Sequence, residues 1–98
     1  MTSKNTILST INKHKNRLAA FGINKIGLFG SYVRNEQHPR SDIDILVDFD
    51  PEKETFDNFM ALGDYLEKLF TGEKIEVVTR NGLSPHLGRY ILEEVQYV

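Results

Sequence analysis

The sequence predicts a small α/β domain, built from a mixed sheet of three or more strands with helices on one face. Three short runs rich in branched apolar residues, at about 25–29, 43–49 and 74–79, are typical of strands, and the stretches between and around them show helical spacing of apolar residues. The second run, the helix after it and the third run form one crossover, which favours parallel pairing of these two strands side by side. We expect one domain over residues 1–98.

Helical spacing and capping residues predict the helices. Apolar residues recur at helical spacing over about 5–21, as in an amphipathic helix. Thr55 is suited to begin a second helix, which is expected to run to about residue 70. Ser84 followed by Pro85 is typical of an N-cap and a first helical residue, so a last helix is predicted there. Its apolar residues are Leu87, Ile91, Leu92 and Val95.

A glycine–serine pair, Gly30 and Ser31, stands where the first predicted strand ends. Free backbone amides point outward at such a position, and Gly30 lets a ligand approach the backbone closely. These amides and the Ser31 hydroxyl suit the β- and γ-phosphates of a nucleotide. Arg34 can contact the triphosphate or orient the loop. Tyr32 can stack on a base or pack in the core.

Asp42 and Asp44 follow Ser31 after ten intervening residues and open the second predicted strand. Side chains alternate along a strand, so both carboxylates share one face while Ile43 and Ile45 share the other. The two Cα atoms would lie ~6.5–7 Å apart, which lets both carboxylates reach cations between them. Such oxygen ligands suit Mg²⁺. A phosphate-binding turn beside two carboxylates indicates nucleotidyl transfer.

Glu76 is a third acidic candidate, in the third predicted strand. If Ile75 and Val77 pack inward, Glu76 faces the same side as the aspartates. With the two strands adjacent, Asp42, Asp44 and Glu76 would form a cluster able to hold two Mg²⁺ ions, roughly 3.5–4 Å apart, that clamp the attacking and leaving oxygens.

The motif formed by Gly30, Ser31, Asp42 and Asp44, with Arg34 after the serine, resembles the signature of the DNA polymerase β-like nucleotidyltransferase superfamily, specifically its minimal nucleotidyltransferase branch. The similarity extends over most of the chain and implies the palm fold of that superfamily. Two positions depart from the pattern. Glu76 stands where the family commonly has aspartate, and Asn35 stands where a glycine often follows the arginine, which predicts a different exit from the turn.

The resemblance implies a reaction, a site and a partner. Many members of this branch are antitoxins encoded beside HEPN-domain ribonuclease toxins, so transfer of AMP from ATP to a tyrosine of such a toxin is expected. Asp42 and Asp44 would bind two Mg²⁺ ions, and Glu76 would bind the catalytic ion and deprotonate the hydroxyl. Gly30, Ser31 and Arg34 would bind the nucleotide. The alternatives are an antitoxin that acts by binding alone, and a nucleotidyltransferase acting on a small molecule.

Composition limits the partners and the location. With 12 basic and 14 acidic residues the formal net charge is −2, so the chain lacks the basic excess expected of a protein that grips long nucleic acid. It has no cysteine, no apolar run of membrane-spanning length and no hydrophobic signal region after Met1. We therefore expect a cytoplasmic protein without membrane contact, and a homo-oligomer is left open.

Other charged or titratable residues are given structural interpretations. His14, on the apolar side of the first predicted helix, is expected to be a core or partner-facing residue rather than a ligand. Asp48 and Asp50 are interpreted as a solvated loop entry. Glu93 and Glu94 are interpreted as a solvated helix face.

Overall fold

The computed structural model describes residues 2–98, which form one four-stranded mixed sheet and four α-helices. The elements are α1 (Lys4–Lys13), α2 (Lys15–Ala19), β1 (Ile23–Phe29), β2 (Ile43–Phe49), α3 (Phe56–Leu69), β3 (Ile75–Thr79), α4 (Pro85–Glu94) and β4 (Gln96–Tyr97). The strand order is β3-β2-β1-β4, with β2 parallel to β3 and with β1 antiparallel to both β2 and β4. The predicted fold class is therefore confirmed, including the parallel neighbours β2 and β3, but α4 borders the sheet face opposite the one that the other helices cover.

The main core lies between one face of the sheet and the first three helices. Alternation along β2 sends every second side chain, from Ile43 to Phe49, into this core. Helices α1, α2 and α3 cover that face because their apolar stripes point at it. The buried helical side chains are Ile7, Ile11, Leu18, Leu62 and Leu66.

The single helix predicted over about 5–21 is wrong, because the backbone leaves the helical conformation at His14, where φ is −110° and ψ is 15°. The His14 Nδ1 atom lies 2.9 Å from the carbonyl oxygen of Thr10, and the imidazole ring meets Tyr65 edge-on at 6.3 Å between ring centroids. Neither glycine nor proline marks this break, and α1 and α2 still bury apolar residues at the predicted positions.

The predicted helix starts are confirmed. The Thr55 side chain accepts a hydrogen bond from the Asn58 amide at the start of α3. Ser84 accepts one from the Leu87 amide at the start of α4. These side chains satisfy amides that have no partner within the helix.

The end of the chain forms a strand that the sequence analysis did not predict. Helix α4 ends at Glu94, and β4 then pairs with β1 opposite Gly27 and Leu28. A Cβ atom on Gly27 would lie 2.7 Å from Cγ2 of Val95 and 2.9 Å from the Gln96 carbonyl oxygen, so glycine permits this close approach. The last turn of α4 is thereby held beside the end of β1. Among residues 2–98, no helix is long and apolar enough to cross a membrane.

Candidate functional site

Three neighbouring strands bring the central side chains of the site together. Asp44 of β2 pairs with Phe29 of β1 on one side and with Glu76 of β3 on the other. All three lie on the sheet face opposite the main core, because the residues next to them, such as Ile45 and Val77, point into that core. Glu76 therefore lies on the sheet face that the alternation along its strand predicted, and its carboxylate lies beside that of Asp44.

Gly30 ends β1 with a positive φ of 83°, a conformation that glycine adopts readily. A Cβ atom there would overlap the Asp44 carboxylate, so the backbone of the turn and the carboxylate are in close contact. The chain then turns over residues 31–35, and the carbonyl oxygen of Gly30 accepts hydrogen bonds from the amides of Val33 and Arg34. The turn at Gly30, which is predicted to bind phosphate, therefore lies directly against Asp44, which is predicted to bind a metal ion.

The pKa of the half-buried Asp44 carboxyl group is raised to about 6, and burial is the largest cause. The negative charges of Glu76 and Asp42 and a hydrogen bond with Glu76 contribute to this rise, while the positive charge of Arg34 opposes it. An ionised Asp44 is thus held close to other carboxylates at an energetic cost. A cation bound here would reduce that cost.

The site opens into a cavity of about 590 Å³ between the sheet and α4. Its charged lining consists of Arg34, Asp44, Glu76 and Glu94, and Gly30 also contributes. A volume of this size is typical of ligand pockets. Two of the predicted site residues, Ser31 and Asp42, do not line it. The apolar lining is formed by Phe29, Val78, Leu83, Leu87, Tyr90 and Ile91.

The Glu94 carboxylate, from the end of α4, contacts the phosphate turn. Its Oε2 accepts a hydrogen bond of 2.6 Å from the Gly30 amide. The Arg34 Nη1 group donates to both Glu94 oxygens at 2.9 and 3.0 Å, and Nε of Arg34 donates to Glu36 at 2.7 Å. The hydrogen bond to Glu36 contributes most to raising the pKa of Arg34, and the hydrogen bonds to Glu94 contribute next. The interpretation of Glu94 as part of a solvated helix face is wrong.

Sequence reasoning could not have found this role of Glu94, because Gly30 and Glu94 are 64 residues apart and no local pattern joins them. Tyr32 is buried in the main core with 2% of its surface exposed, so packing is its role and stacking on a base is excluded. Asn35 adopts a φ of 58°. Asparagine tolerates this left-handed conformation, which glycine also adopts readily, and a different exit from the turn stays a prediction.

The residues present fit a magnesium ion that is bound largely through its substrate. Over residues 2–98, no three acidic or histidine side chains are arranged to hold a metal ion by themselves. Asp44 and Glu76 nevertheless provide adjacent carboxylates, and Mg²⁺ usually takes only one or two of these and completes its shell with water and phosphate oxygens. Asp42 lies close enough to raise the pKa of Asp44 and is a candidate for a further ligand.

The comparisons with known proteins agree with this geometry. The model of the nucleotidyltransferase domain family matches residues 9–98. The chain is 40% identical over 99 residues to the protein adenylyltransferase MntA of Thermococcus cleftensis, a match that covers 100% of this chain and 98% of that protein.

Two solved structures are similar as well. One is provisionally named a minimal nucleotidyltransferase and superposes with a TM-score of 0.83 at 29% identity, over 97% of this chain and 95% of that chain. The other is a toxin–antitoxin crystallised with AMP-PNP, which superposes with a TM-score of 0.65 at 26% identity, over 87% of this chain and 69% of that chain.

Proposed function

We propose that this chain, which belongs to the nucleotidyltransferase domain family and to its minimal branch, transfers AMP from ATP to a hydroxyl group of a partner protein. The observation that carries the proposal is the contact between the turn at Gly30 and the Asp44–Glu76 pair, at one end of a cavity of about 590 Å³. A phosphate turn against two carboxylates is what the transfer of a nucleoside monophosphate requires.

In this reaction the hydroxyl oxygen of the acceptor attacks the α-phosphorus of ATP. A new P–O bond forms there, the bond from the α-phosphorus to the bridging oxygen of the β-phosphate breaks, and pyrophosphate leaves. Glu76 accepts the proton of the attacking hydroxyl. Gly30, Ser31 and Arg34 hold the β- and γ-phosphates so that the leaving group is in line with the attack.

Asp42, Asp44 and Glu76 would hold two Mg²⁺ ions together with the phosphates of the substrate, since among residues 2–98 no three such side chains form a metal site by themselves. When bound, the ions would neutralise the charge that develops on the phosphate oxygens. The raised pKa of Asp44 supports this assignment, since a carboxyl group crowded by other carboxylates is the kind of group that a cation stabilises.

The acceptor we propose is a tyrosine of a HEPN-domain toxin, which makes the protein an antitoxin. The name of the Thermococcus relative, a protein adenylyltransferase, supports a protein acceptor, and the similar toxin–antitoxin structure supports a toxin as partner. The HEPN identity and the tyrosine follow from the family resemblance. Leu87 and Tyr90, at the mouth of the cavity, have 64% and 62% of their surface exposed and could contact such a partner.

A second candidate function is neutralisation of the toxin by binding alone. The contact of Glu94 with the turn favours it, because this carboxylate uses donors that a nucleotide would need.

The test mixes the chain with the toxin encoded beside it, ATP and Mg²⁺, and measures the toxin by intact-mass spectrometry. We expect a gain of one adenylyl group on a tyrosine, lost in Asp42→Asn/Asp44→Asn. Asp48→Asn is the matched control, since it removes a carboxylate from the same strand outside the cavity. An unmodified toxin that is still silenced by the double variant would establish the binding-only function instead.

A further inference from the structure

The Glu94 carboxylate accepts the hydrogen bonds that the turn at Gly30 would otherwise offer to a phosphate group. The Gly30 amide has one proton to donate, and at 2.6 Å it is already in a short hydrogen bond to the Glu94 carboxylate. The Arg34 guanidinium is held in the same way, with Nη1 on Glu94 and Nε on Glu36. Each oxygen of Glu94 therefore lies where an oxygen of a bound phosphate would be expected to lie.

The negative charge of the cavity strengthens the competition between the Glu94 carboxylate and a phosphate group for Gly30 and Arg34. The cavity is lined by three carboxylates, from Asp44, Glu76 and Glu94, and Arg34 is the one basic side chain among its lining residues. A triphosphate that entered with Glu94 in place would lie against a like charge at hydrogen-bonding distance, which is unfavourable even in a partly solvated site.

The position of Glu94 in the fold allows it to leave. It is the last residue of α4, and the carbonyl end of a helix disfavours a carboxylate. Most α4 side chains are not fully buried, since Gly88 is the one buried residue of this helix. The strand that follows, β4, holds the backbone beside β1, but the Glu94 side chain, with 23% of its surface exposed, borders the open cavity and can rotate into it.

We propose that the Glu94 carboxylate is an internal competitor that occupies the phosphate subsite formed by Gly30 and Arg34, and that a nucleotide binds by displacing it. This inference rests on the proposed nucleotide site. Its consequence is that the Glu94 carboxylate moves away from the Gly30 amide and the Arg34 guanidinium whenever the site is filled.

The test measures the affinity of two probes, ATP with Mg²⁺ and inorganic tripolyphosphate, by calorimetry. Glu94→Gln removes the charge at nearly the same size and is expected to tighten the binding of both probes about tenfold, which corresponds to ~1.4 kcal/mol. Glu93→Gln is the matched control. Glu93 is the preceding residue of the same helix and forms only an exposed ion pair with Arg89 at 3.9 Å, so no change is expected.

A second measurement follows the wild-type protein and depends on no variant. In NMR spectra, the Gly30 amide and the Glu94 side-chain carboxyl carbon should both shift when tripolyphosphate is added. If the probe binds while the Glu94 carbon does not move, Glu94 is not displaced and the inference is wrong.

The outcomes separate the inference from the proposed function. Unchanged or weaker binding by Glu94→Gln, with normal binding by the wild type, would overturn the inference alone and would make Glu94 a residue that positions Arg34. Binding that appears only in Glu94→Gln would support the inference in its strongest form. Absence of binding in both proteins would overturn the inference and the proposed nucleotide site together.

Discussion

Ionised Asp44 destabilises the fold, yet it lies where the proposed reaction needs a metal ligand. Its carboxyl group contacts the backbone of Gly30, shares a hydrogen bond with Glu76 and has a pKa raised from 3.8 to about 6. Because the folded protein binds this proton more tightly than the unfolded chain does, ionisation of Asp44 destabilises the metal-free fold. The same ionised group is the one that would attract Mg²⁺.

We predict that Asp44→Asn stabilises the metal-free protein above about pH 6. The free energy of unfolding of the wild type should fall as the pH rises from about 4 to about 6, because over that range the unfolded chain has lost the Asp44 proton while the folded protein still holds it, and the asparagine variant should lack this fall. Denaturant unfolding in the presence of a chelator, at several pH values, measures the difference. A stability gap that is the same at low and neutral pH would contradict the prediction, and Asp48→Asn again serves as control.

At the scale of secondary-structure elements, the β1–β4 pairing decides where α4 ends. The close approach of Val95 and Gln96 to Gly27 brings the last turn of α4 to the edge of the site. Local sequence predicted α4 from its capping serine, but it did not predict β4, because a two-residue strand has no periodicity of its own.

We predict that Gly27→Ala lowers the free energy of unfolding by about 1–3 kcal/mol, because the added methyl group would overlap Val95 and Gln96. The variant should also weaken the contact between Glu94 and the Gly30 amide, seen as a shift of that amide in NMR spectra. Gly63→Ala in α3 is the control with the opposite expected sign. Outside its own helix backbone, no atom of residues 2–98 lies within 4 Å of the added atom there, and alanine is favoured over glycine in a helix by about 1 kcal/mol. Unchanged stability of Gly27→Ala would show that β4 is not needed to hold this region.

At the scale of the whole molecule, the two faces of the sheet differ in what they present. One face carries the main core under α1, α2 and α3. The other carries the acidic cavity, with α4 as one of its walls. In the proposed reaction an acceptor hydroxyl would approach from this second face, where the side chains of Leu87 and Tyr90 are exposed.

We predict that Leu87→Ser/Tyr90→Ser weakens binding of the toxin at least about tenfold, because exposed apolar and aromatic side chains beside an active site are typical anchors of a protein interface. Phe56→Ser/Met60→Ser is the control. These α3 residues are also exposed, at 76% and 46%, but they belong to a helix on the other side of the sheet. Surface plasmon resonance with immobilised toxin gives both affinities. A larger loss in the α3 variant would place the partner on that side.

The sequence by itself determined the first three strands, the starts of α3 and α4 and the side of the sheet on which Asp44 and Glu76 lie. Alternation along β2 and β3 is a local property of extended chains, so the phase of Asp44 and Glu76 could be derived before any contact was known. The tertiary structure decided the break at His14, the pairing of β4 and the contact of Glu94 with Gly30 and Arg34. These last features join segments that are up to 64 residues apart, and their geometry depends on how the whole chain packs, which no local periodicity or capping residue encodes.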